Sequence, residues 1–481
     1  MNEFLLDIIL ENRSNTDFYS IINVNESTRR NLILSSIKEF LNSEKARNMH
    51  EGVRYYNFKH DILDRVIAYK VAGMWEVSDL ANERIKHPYH SVLVDQKVGY
   101  ISGETWETVF SDETLKDIIE KEYLSNDQKM DLIRDLNTDA SNMGRSWINY
   151  FYNKDGVLSY RVIDSREIIY RKFEGKEYII RFYETRARDG KLVKKIQFYD
   201  ENMVYYYTLK EDKLFLDPDA ELNPRPHFVF VMDDEKVDEK GFDKVPFIKN
   251  RNNRFENTDL QPIKDLIDDI DLADSDWSND NLNSAEDILV FTGIDSKQRL
   301  SELVRGIKAN GGIKFENDQS KVERILNDVQ YESKLNKINQ TKSQIFELGM
   351  GVSTEKALQN TSGVALKLMF QNLDLKANKS IRYLVETLNE LYRVIINDVN
   401  RRYGTSYTIN DIDIIPRKQL IIDAKEVEEI NELRYKNLLS LKGTVSDETI
   451  LETLKDLNVI KDIDLEKERL ENELNSRLIE E

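Results

Sequence analysis

Apolar residues follow two different spacings along this chain, and the spacing changes near residue 257. Between about residues 146 and 231, short runs rich in Tyr, Phe, Ile and Val alternate with polar positions, which is typical of β-strands. Turn-forming groups separate several of these runs: Lys154-Asp155-Gly156, Glu174-Gly175 and Asp189-Gly190. Short strands joined by such turns predict an antiparallel meander.

Helical spacing predominates after residue 257. A first amphipathic helix is predicted over residues 257–284, where apolar side chains recur at steps of three and four: Leu260, Ile263, Ile267, Ile270, Ala273 and Trp277. A second helix is predicted over residues 331–350. A third, over residues 362–403, would be about 60 Å long and is expected to kink near Asn372-Leu373-Asp374. Gly349 and Gly351 interrupt the helical pattern, which predicts a loop at residues 351–361.

Shorter segments complete the predicted architecture. Two strands around a helix predict a small α/β insertion at residues 285–330. The remaining predicted elements are a helix within residues 1–42, a helix over residues 126–145 ending near Gly144, an edge strand at Val245-Pro246-Phe247-Ile248, a strand in the run YTINDIDIIPR, and acidic helices over residues 421–481. This order predicts an α+β fold of several units, which a length of 481 residues also favours.

Composition excludes several classes of protein. The chain has no Cys, which excludes disulfides, thiolate metal sites and thiol nucleophiles. Acids stand near the N-terminus where a signal peptide has bases, and no run approaches 18 apolar residues. We therefore expect neither secretion nor association with a membrane.

The chain is strongly acidic. The formal net charge of −19 argues against a protein that grips DNA by neutralising phosphates. Acids are densest at residues 257–290, where ten of them face the single base Lys264. Charge runs are usually solvated helix faces. A surface along which a polyanion slides without adhering is the alternative.

Candidate catalytic chemistry is sparse. Asp274-x-Asp276 resembles the opening of a calcium-binding loop, but Asn279 stands where that loop requires Gly, and no Glu follows at the twelfth position. His87 and His90 flank Pro88, which spoils the helical geometry of a His-x-x-His metal site. Phosphate-binding, dinucleotide and serine-hydrolase motifs are absent from the sequence. We expect no enzyme activity, no cofactor and no metal, with a carboxylate-metal enzyme as a minor alternative.

Four local patterns, in order, resemble the portal, or head–tail connector, proteins of long-tailed phages that infect Gram-positive bacteria. They are VDQKVGYISGE at 94–104, with Tyr100 and Gly103; VPFIKNRNN at 245–253, closing on Asn252-Asn253; NTSGVALKLMF at 360–370, with Ser362, Gly363 and Ala365; and VSDETILETL at 445–454. The resemblance extends over about residues 90–460. An acidic scaffold protein is the alternative class, but it would not explain the tyrosine-rich meander.

The resemblance implies a structural subunit in a ring of about twelve copies at one capsid vertex. The implied parts are a wing (1–256), two stem helices (257–284 and 331–350), a clip (285–330), a tunnel loop (351–361), a long wing helix with a strand (362–420) and a crown (421–481). Double-stranded DNA would pass through the ring without sequence specificity. The implied protein partners are the terminase large subunit, a head–tail adaptor, and the major capsid and scaffolding proteins. The location would be the virion, after assembly in the host cytoplasm.

Candidate site residues follow from this picture. The loop set, expected to meet DNA, is Val352, Ser353, Thr354, Glu355, Lys356, Leu358 and Asn360. The channel-lining acids are Asp265, Asp268, Asp269 and Asp276. Close subunit packing is assigned to Ser362, Gly363 and Ala365, and docking of partners to Lys297, Arg299, Arg305 and Lys308. The alternative for the loop set is an ordinary interhelical connection. The acids and the four basic residues could be solvated faces, and Ser362, Gly363 and Ala365 could simply begin a helix.

Overall fold

The computed structural model describes most of the chain from residue 25 onward. The described residues are 25–71, 74–77, 81–173, 176–187, 190–232, 236–284, 288–292, 321–325, 331–353, 363–419 and 446–456, with scattered positions between 432 and 469. Contacts divide the chain into two compact units, Met1–Lys356 with Phe370–Gln419, and Ala357–Met369 with Leu420–Glu481. Within the residues that the structure describes, none of the helices combines the length and apolar character that a membrane crossing requires.

The N-terminal part of the first unit is mainly helical. Its elements are α1 (Glu26–Asn42), α2 (Glu44–Tyr56), β1 (Ala68–Val71), β2 (Met74–Val77), α3 (Tyr89–Ser102), β3 (Glu107–Phe110), α4 (Glu113–Glu122) and α5 (Asn126–Met143). Helix α5 begins at a capping box in which Ser125 and Gln128 take up each other's backbone N–H groups. It ends at Gly144, whose φ of 77° places it in the left-handed region. The predicted helix end at Gly144 is confirmed.

The predicted meander is also confirmed. Its region contains β4 (Arg145–Tyr152), β5 (Leu158–Ile163), β6 (Ile168–Phe173), β7 (Lys176–Arg186), β8 (Leu192–Tyr199), β9 (Met203–Lys210), β10 (Lys213–Leu216), β11 (Arg225–Pro226), β12 (Phe228–Met232), β13 (Lys236–Lys240) and β14 (Phe247–Arg251). Strands β6 to β10 pair sequentially and antiparallel, and β11 joins β9. A second sheet has the order β14-β4-β5, so β14 is the predicted edge strand, and Pro246 precedes it.

The C-terminal half returns to helices. Its described elements are α6 (Lys264–Ser284), β15 (Ile288–Thr292), β16 (Lys321–Ile325), α7 (Tyr331–Leu348), α8 (Gly363–Tyr403), β17 (Ile412–Ile415) and α9 (Asp447–Asp456). Strand β17 pairs with β3, and β15 pairs with β16. The α+β class is confirmed. The strand and helix predicted at residues 296–316 lie outside the described residues.

Two predicted boundaries need comment. Helix α6 begins at Lys264, so the predicted start at residue 257 is wrong. Thr258 and Gln261 each accept the other's backbone N–H with a side-chain oxygen, the same capping box that opens α5, and a turn at residues 261–263 leads from it into the regular helix. Helix α8 is continuous over 41 residues, including the region where a kink was predicted.

Four apolar cores hold the first unit together, and three of them involve helices. The largest joins α4, α5 and β4 to the middle of α8, where Leu384, Leu388 and Leu391 are buried. A second packs α1 and α2 on the meander, with Ile33 against residues such as Ile180 and Phe198. The third lies between α2, α3, α6 and α7. One face of α8 between Ala377 and Val399 is therefore covered by elements of its own chain, whereas Leu368 and Leu375 nearer its start are exposed.

Candidate functional site

Helices α6 and α7 form an antiparallel pair, which is the first part of the candidate site. The late residue Trp277 of α6 meets the early residue Tyr331 of α7, with ring centroids 5.3 Å apart. The predicted apolar stripe packs inward, since Ile263, Ile267 and Ile270 are buried against a core that includes Ile345 of α7. The stripe is therefore confirmed up to Ile270. Beyond it Ala273 and Trp277 are half-buried, and the buried positions of α6 are the polar residues Asp271, Ser275 and Asn279.

Three of the four candidate channel acids have basic partners within the chain. Asp268 pairs with Lys264 at 2.7 Å and also accepts a hydrogen bond from the Tyr55 hydroxyl. Asp269 pairs with Lys337 at 2.8 Å, and Asp276 pairs with Arg65 at 2.5 Å. Asp265 is exposed on the same helix. Sequence spacing could not show the bases, because Arg65 and Lys337 are distant in the chain.

Asp271, on the same helix, is buried between two histidines. Its carboxylate contacts Nδ1 of His60 at 2.6 Å and Nδ1 of His87 at 2.9 Å, and it accepts the His87 backbone N–H at 2.7 Å. Burial raises the pKa of Asp271, but the bonds to His60 and His87 outweigh it and lower the pKa below its ordinary value. The hydrogen bond to Asp271 also raises the pKa of His87. Sequence reasoning missed this cluster, which ties α6 to residues 60–87.

The two histidines singled out in the sequence do not share a site. His87 contacts Asp271 and Asp274, whereas His90 is fully buried and contacts Oδ1 of Asn142 at 2.8 Å. Burial lowers the pKa of His90 to about 4, so it is neutral at pH 7. In the part of the chain that the structure describes, no group of three or more His, Asp or Glu side chains is arranged to hold a metal ion.

The second part of the site is the C-terminal end of α7. The Gln96 amide on α3 forms two hydrogen bonds with the Val352 backbone, donating to its C=O at 2.8 Å and accepting its N–H at 3.0 Å. Gly349 and Gly351 lie so close to Leu93 that a Cβ on either would approach its methyl groups to 2.6 and 2.0 Å. We call the two hydrogen bonds between Gln96 and Val352 the Gln96 clamp. It fixes the chain immediately before residues 354–362.

A buried ionic network lies beneath the clamp. Lys97 is completely buried, and its Nζ lies 2.9 Å from Ser141, 2.6 Å from Asn252 and 3.2 Å from Asp259. Lys376 of α8 also contacts Asp259 at 3.2 Å and donates to the Gly349 C=O at 2.9 Å. We call these side chains the Asp259 network. It joins α3, α5, α8 and the end of α7.

Asp259 is a buried negative charge that is paired with the ammonium groups of Lys97 and Lys376. Burial lowers the pKa of Lys97 to about 8. Burial would raise the pKa of Asp259, but the two ammonium groups and the Asn252 amide hold it well below its ordinary value. Asp259 is therefore ionised at all physiological pH values.

The network brings together two sequence patterns that are far apart in the chain. Lys97 lies in the pattern at residues 94–104, and Asn252 lies in the pattern at 245–253. Tyr100 of the first pattern donates to Asp374 of α8 at 2.9 Å. Tyr100 and Asn252 were noted from sequence for their resemblance alone, Lys97 lies in the same run as Tyr100, and the structure gives all three a packing role.

The other candidate residues are only partly described. Val352 is buried and Ser353 half-buried, Gly363 begins α8, and Ala365 lies in its first turn. The positions that lie outside the described residues are Thr354, Glu355, Lys356, Leu358, Asn360, Ser362, Lys297, Arg299, Arg305 and Lys308.

Comparison with known proteins decides the family. The model of the family described as "Phage portal protein, SPP1 Gp6-like" matches residues 39–476. The chain belongs to this phage portal protein family. The family is structural rather than enzymatic, and the predicted resemblance to portal proteins is confirmed.

Relatives of this portal-family chain come from phages of Gram-positive hosts. The portal protein of Bacillus phage SPP1 is 25% identical over 355 residues, covering 72% of this chain and 69% of the relative. The portal protein of Clostridium phage phiCD119 is 24% identical over 442 residues, covering 83% and 94%. Among solved structures, a chain of "Neck of native GTA particle computed with C12 symmetry" gives a TM-score of 0.38 at 11% identity, covering 76% of this chain and 89% of that one.

The Gln96 clamp of this portal-family chain leads to a first prediction. We expect Gln96→Ala to speed hydrogen exchange at the Val352 amide roughly fivefold to tenfold, because the clamp supplies the acceptor for that N–H and a hydrogen bond contributes about 1 kcal/mol. Exchange is measured by mass spectrometry on a peptide that contains Val352. Gln128→Ala, which alters an exposed cap on α5, is the matched control. Equal exchange at Val352 in the two variants would contradict the clamp.

Proposed function

We propose that this chain is the subunit of a portal ring at one capsid vertex, through which the phage genome enters and leaves. The observation that carries the proposal is the portal-family match over residues 39–476, which includes the α6–α7 pair, residues 351–361 and helix α8. The subunit would act mechanically and electrostatically, as a component of the virion. The ATP hydrolysis that drives packaging would belong to a partner.

The parts of the subunit take their roles from this proposal. Residues 1–256 and 362–420 form the wing, α6 and α7 the stem, residues 285–330 the clip, 351–361 the tunnel loop and 421–481 the crown. The wing contacts the major capsid and scaffolding proteins. The clip docks the terminase large subunit and later the head–tail adaptor, with Lys297, Arg299, Arg305 and Lys308 as its basic surface. Assembly takes place in the host cytoplasm.

The antiparallel pair of β1 and β2 forms an exposed apolar hairpin, which supports assembly into a ring of about twelve copies. Every residue of β2 is exposed, and Met74, Trp75 and Val77 have 69%, 73% and 68% of their surface accessible. Large apolar side chains grouped at the surface mark interaction sites in soluble proteins. Permanent subunit interfaces begin near about 2,000 Å² of buried surface, and the hairpin would supply part of that area.

The ion pairs of α6 change the proposed channel lining. Pairing with Lys264, Lys337 and Arg65 offsets much of the charge of Asp268, Asp269 and Asp276, so these acids repel DNA less than unpaired carboxylates would. Asp265 is the exposed member of the candidate set. Double-stranded DNA would pass such a surface without sequence-specific contacts, because base readout requires donors and acceptors inserted into a groove.

A charge reversal tests this lining. We expect Asp265→Lys to reduce the amount of DNA packaged per particle and to increase the salt dependence of its retention, because a cation at this position would attract phosphates. DNA content is measured by quantitative PCR on nuclease-treated particles. Asp131→Lys, on the exposed surface of α5, is the control for net charge. The lining is wrong if both variants package as much DNA as the unmodified chain.

The ring itself is tested by negative-stain electron microscopy of the purified protein, with native mass spectrometry to count subunits. Rings of about twelve or thirteen copies with a central hole are expected. Filaments or a compact dimer across a range of salt and protein concentrations would contradict the proposal. Addition of scaffolding and capsid proteins covers assembly that depends on partners, and a failure to form rings there would also count against it.

A further inference from the structure

A cavity of about 880 Å³ opens between the N-terminal helices and the meander. Its walls come from α1, α2, the end of α5, strands β4, β6 and β14, and residues 255–261. A volume of this size is typical of small-molecule sites. It lies apart from the α6–α7 pair and the Gln96 clamp, and its role does not depend on the proposed function.

The charge of the cavity is opposite to that of the chain. Five of its lining residues are cations, namely Lys45, Arg145, Arg171, Lys172 and Lys249, and three are carboxylates, namely Glu39, Glu44 and Glu256. The whole chain, in contrast, has 88 acidic residues against 69 Lys and Arg. A local excess of cations in a concave, partly enclosed place attracts anions more strongly than the same charges on an open surface.

The inner end of the cavity carries most of this excess. Lys45, Arg145 and Lys249 all contact the single carboxylate of Glu256, the last two at 3.1 and 2.9 Å. Three positive charges therefore face one negative charge. Arg145 is buried and Lys249 mostly buried, so water screens them little.

The pKa of Lys45 reports the same imbalance. Burial first, and then the positive charge of Arg145, lower the pKa of Lys45 to about 8, even though Glu256 acts in the opposite direction. A second anion near Lys45 would offset the charge of Arg145 and favour the protonated ammonium. Together with the contacts of Lys45, Arg145 and Lys249 to one carboxylate, this pKa is consistent with a place for negative charge that Glu256 alone does not fill.

We propose that this cavity binds a small multivalent oxyanion of the phosphate class. A dianion matches the excess of two charges around Glu256, and ammonium and guanidinium groups are the usual protein ligands of phosphate. The cavity is far too small for a DNA duplex. A free phosphate and the phosphate group of a small metabolite share the chemistry, whereas a phosphodiester carries one charge and would bind more weakly.

Binding would connect the N-terminal helices to strands of both sheets. Lys45 comes from α2, Arg145 from β4, Lys172 from β6 and Lys249 from β14, so one anion would contact four elements that are separate in sequence. A ligand that binds only the folded chain raises its apparent stability according to ligand concentration. Phosphate should therefore raise the melting temperature beyond the effect of chloride at equal ionic strength.

Isothermal titration calorimetry of the full chain with inorganic phosphate, at ionic strength held constant with sodium chloride, tests the proposal. We expect saturable binding of one phosphate per subunit. In the double variant Lys45→Met and Lys172→Met, binding should weaken at least about tenfold, since two charged contacts of this kind contribute more than 1.4 kcal/mol together. Lys45 is partly exposed, at 40%, and Lys172 is exposed, at 57%, and pairs with Glu177 at 3.2 Å, so the fold should tolerate their replacement.

The control is a double variant with the same charge change, Lys116→Met and Lys121→Met on the exposed face of α4. It should bind phosphate like the unmodified chain. Lys172→Met alone should weaken binding in the same direction if the double variant is unstable. A parallel titration with tripolyphosphate represents the phosphate groups of a small metabolite, and one with a phosphodiester dinucleotide represents a nucleic-acid backbone. Non-saturable heat, equal loss in both double variants, or tighter binding of the dinucleotide would overturn the proposal.

Discussion

Replacing Asp259 by Asn is expected to lower the free energy of unfolding by about 3–5 kcal/mol, the usual effect of removing one partner from a buried ionic group. Asp259 lies between Lys97, which is completely buried, and Lys376 of α8. The substitution keeps the size of the side chain, removes its charge and replaces one of its two accepting oxygens by an NH2 donor. Two ammonium groups would then lose their carboxylate, and Lys97 has no access to water that could solvate it.

Urea unfolding followed by circular dichroism, at one fixed subunit concentration, measures the change. Asp276→Asn is the matched control, because its carboxylate, paired with Arg65, is about half exposed, and ion pairs with a solvent-exposed member contribute at most about 1 kcal/mol. Adding Lys97→Met to Asp259→Asn should recover part of the lost stability, since the buried cation is removed as well. Similar losses for Asp259→Asn and Asp276→Asn would show that the network contributes little.

The same variant should respond less to acid. The pKa of Asp259 is lowered in the folded chain, so its contribution to stability is fully present above the pKa of an unfolded Asp, about 3.9. That contribution is lost as pH falls below that value toward the folded pKa. The stability difference between the unmodified chain and Asp259→Asn should therefore shrink between about pH 4 and pH 2. A constant difference over that range would exclude this carboxylate as its source.

Local sequence patterns were sufficient for most of the regular elements. Alternating runs and turn groups between residues 146 and 231 reflect contacts between neighbouring strands, and these strands do pair in sequence order. Helix α5 was recognisable because its end requires the left-handed backbone of Gly144. Helix α6 starts later than predicted, because residues 261–263 form a turn before the regular helix, and the apolar spacing of Leu260 and Ile263 does not distinguish that turn from a helix.

Less of the candidate site could be predicted from the sequence. The Gln96 clamp joins residues separated by 256 positions, and His60 meets Asp271 across 211. Nothing in the local pattern around these residues predicts such contacts. One signal was present, because Lys97 and Asn252 lie in the two patterns that resemble the portal family, and both contribute to the Asp259 network. The resemblance therefore marked residues whose physical role only the tertiary structure explains.

Loss of the loop sequence is expected to have the largest functional effect, and this prediction rests on the proposed portal function. Replacing residues 353–359 by Gly and Ser, at unchanged length, should reduce packaged DNA to the background of particles that lack the portal. Lys356 is the only base among residues 351–361, and Leu358 is apolar, so the replacement removes the residues that are proposed to contact phosphate and to pack against a neighbouring loop. Nuclease-protected DNA in assembled particles is the measurement.

Assembly must be separated from DNA transport in this experiment. The replacement begins after Val352, so the Gln96 clamp and the Asp259 network are preserved, and native mass spectrometry should give the same subunit number as for the unmodified chain. Lys356→Met alone should lower packaging by a smaller factor. Lys379→Met, an equal charge change at an exposed position of α8, should leave packaging unaltered. Intact rings that package DNA normally with the replaced loop would show that residues 353–359 connect two helices and do nothing more, whereas intact rings with no packaging would assign them to the movement of DNA, since the surrounding structure would be unchanged.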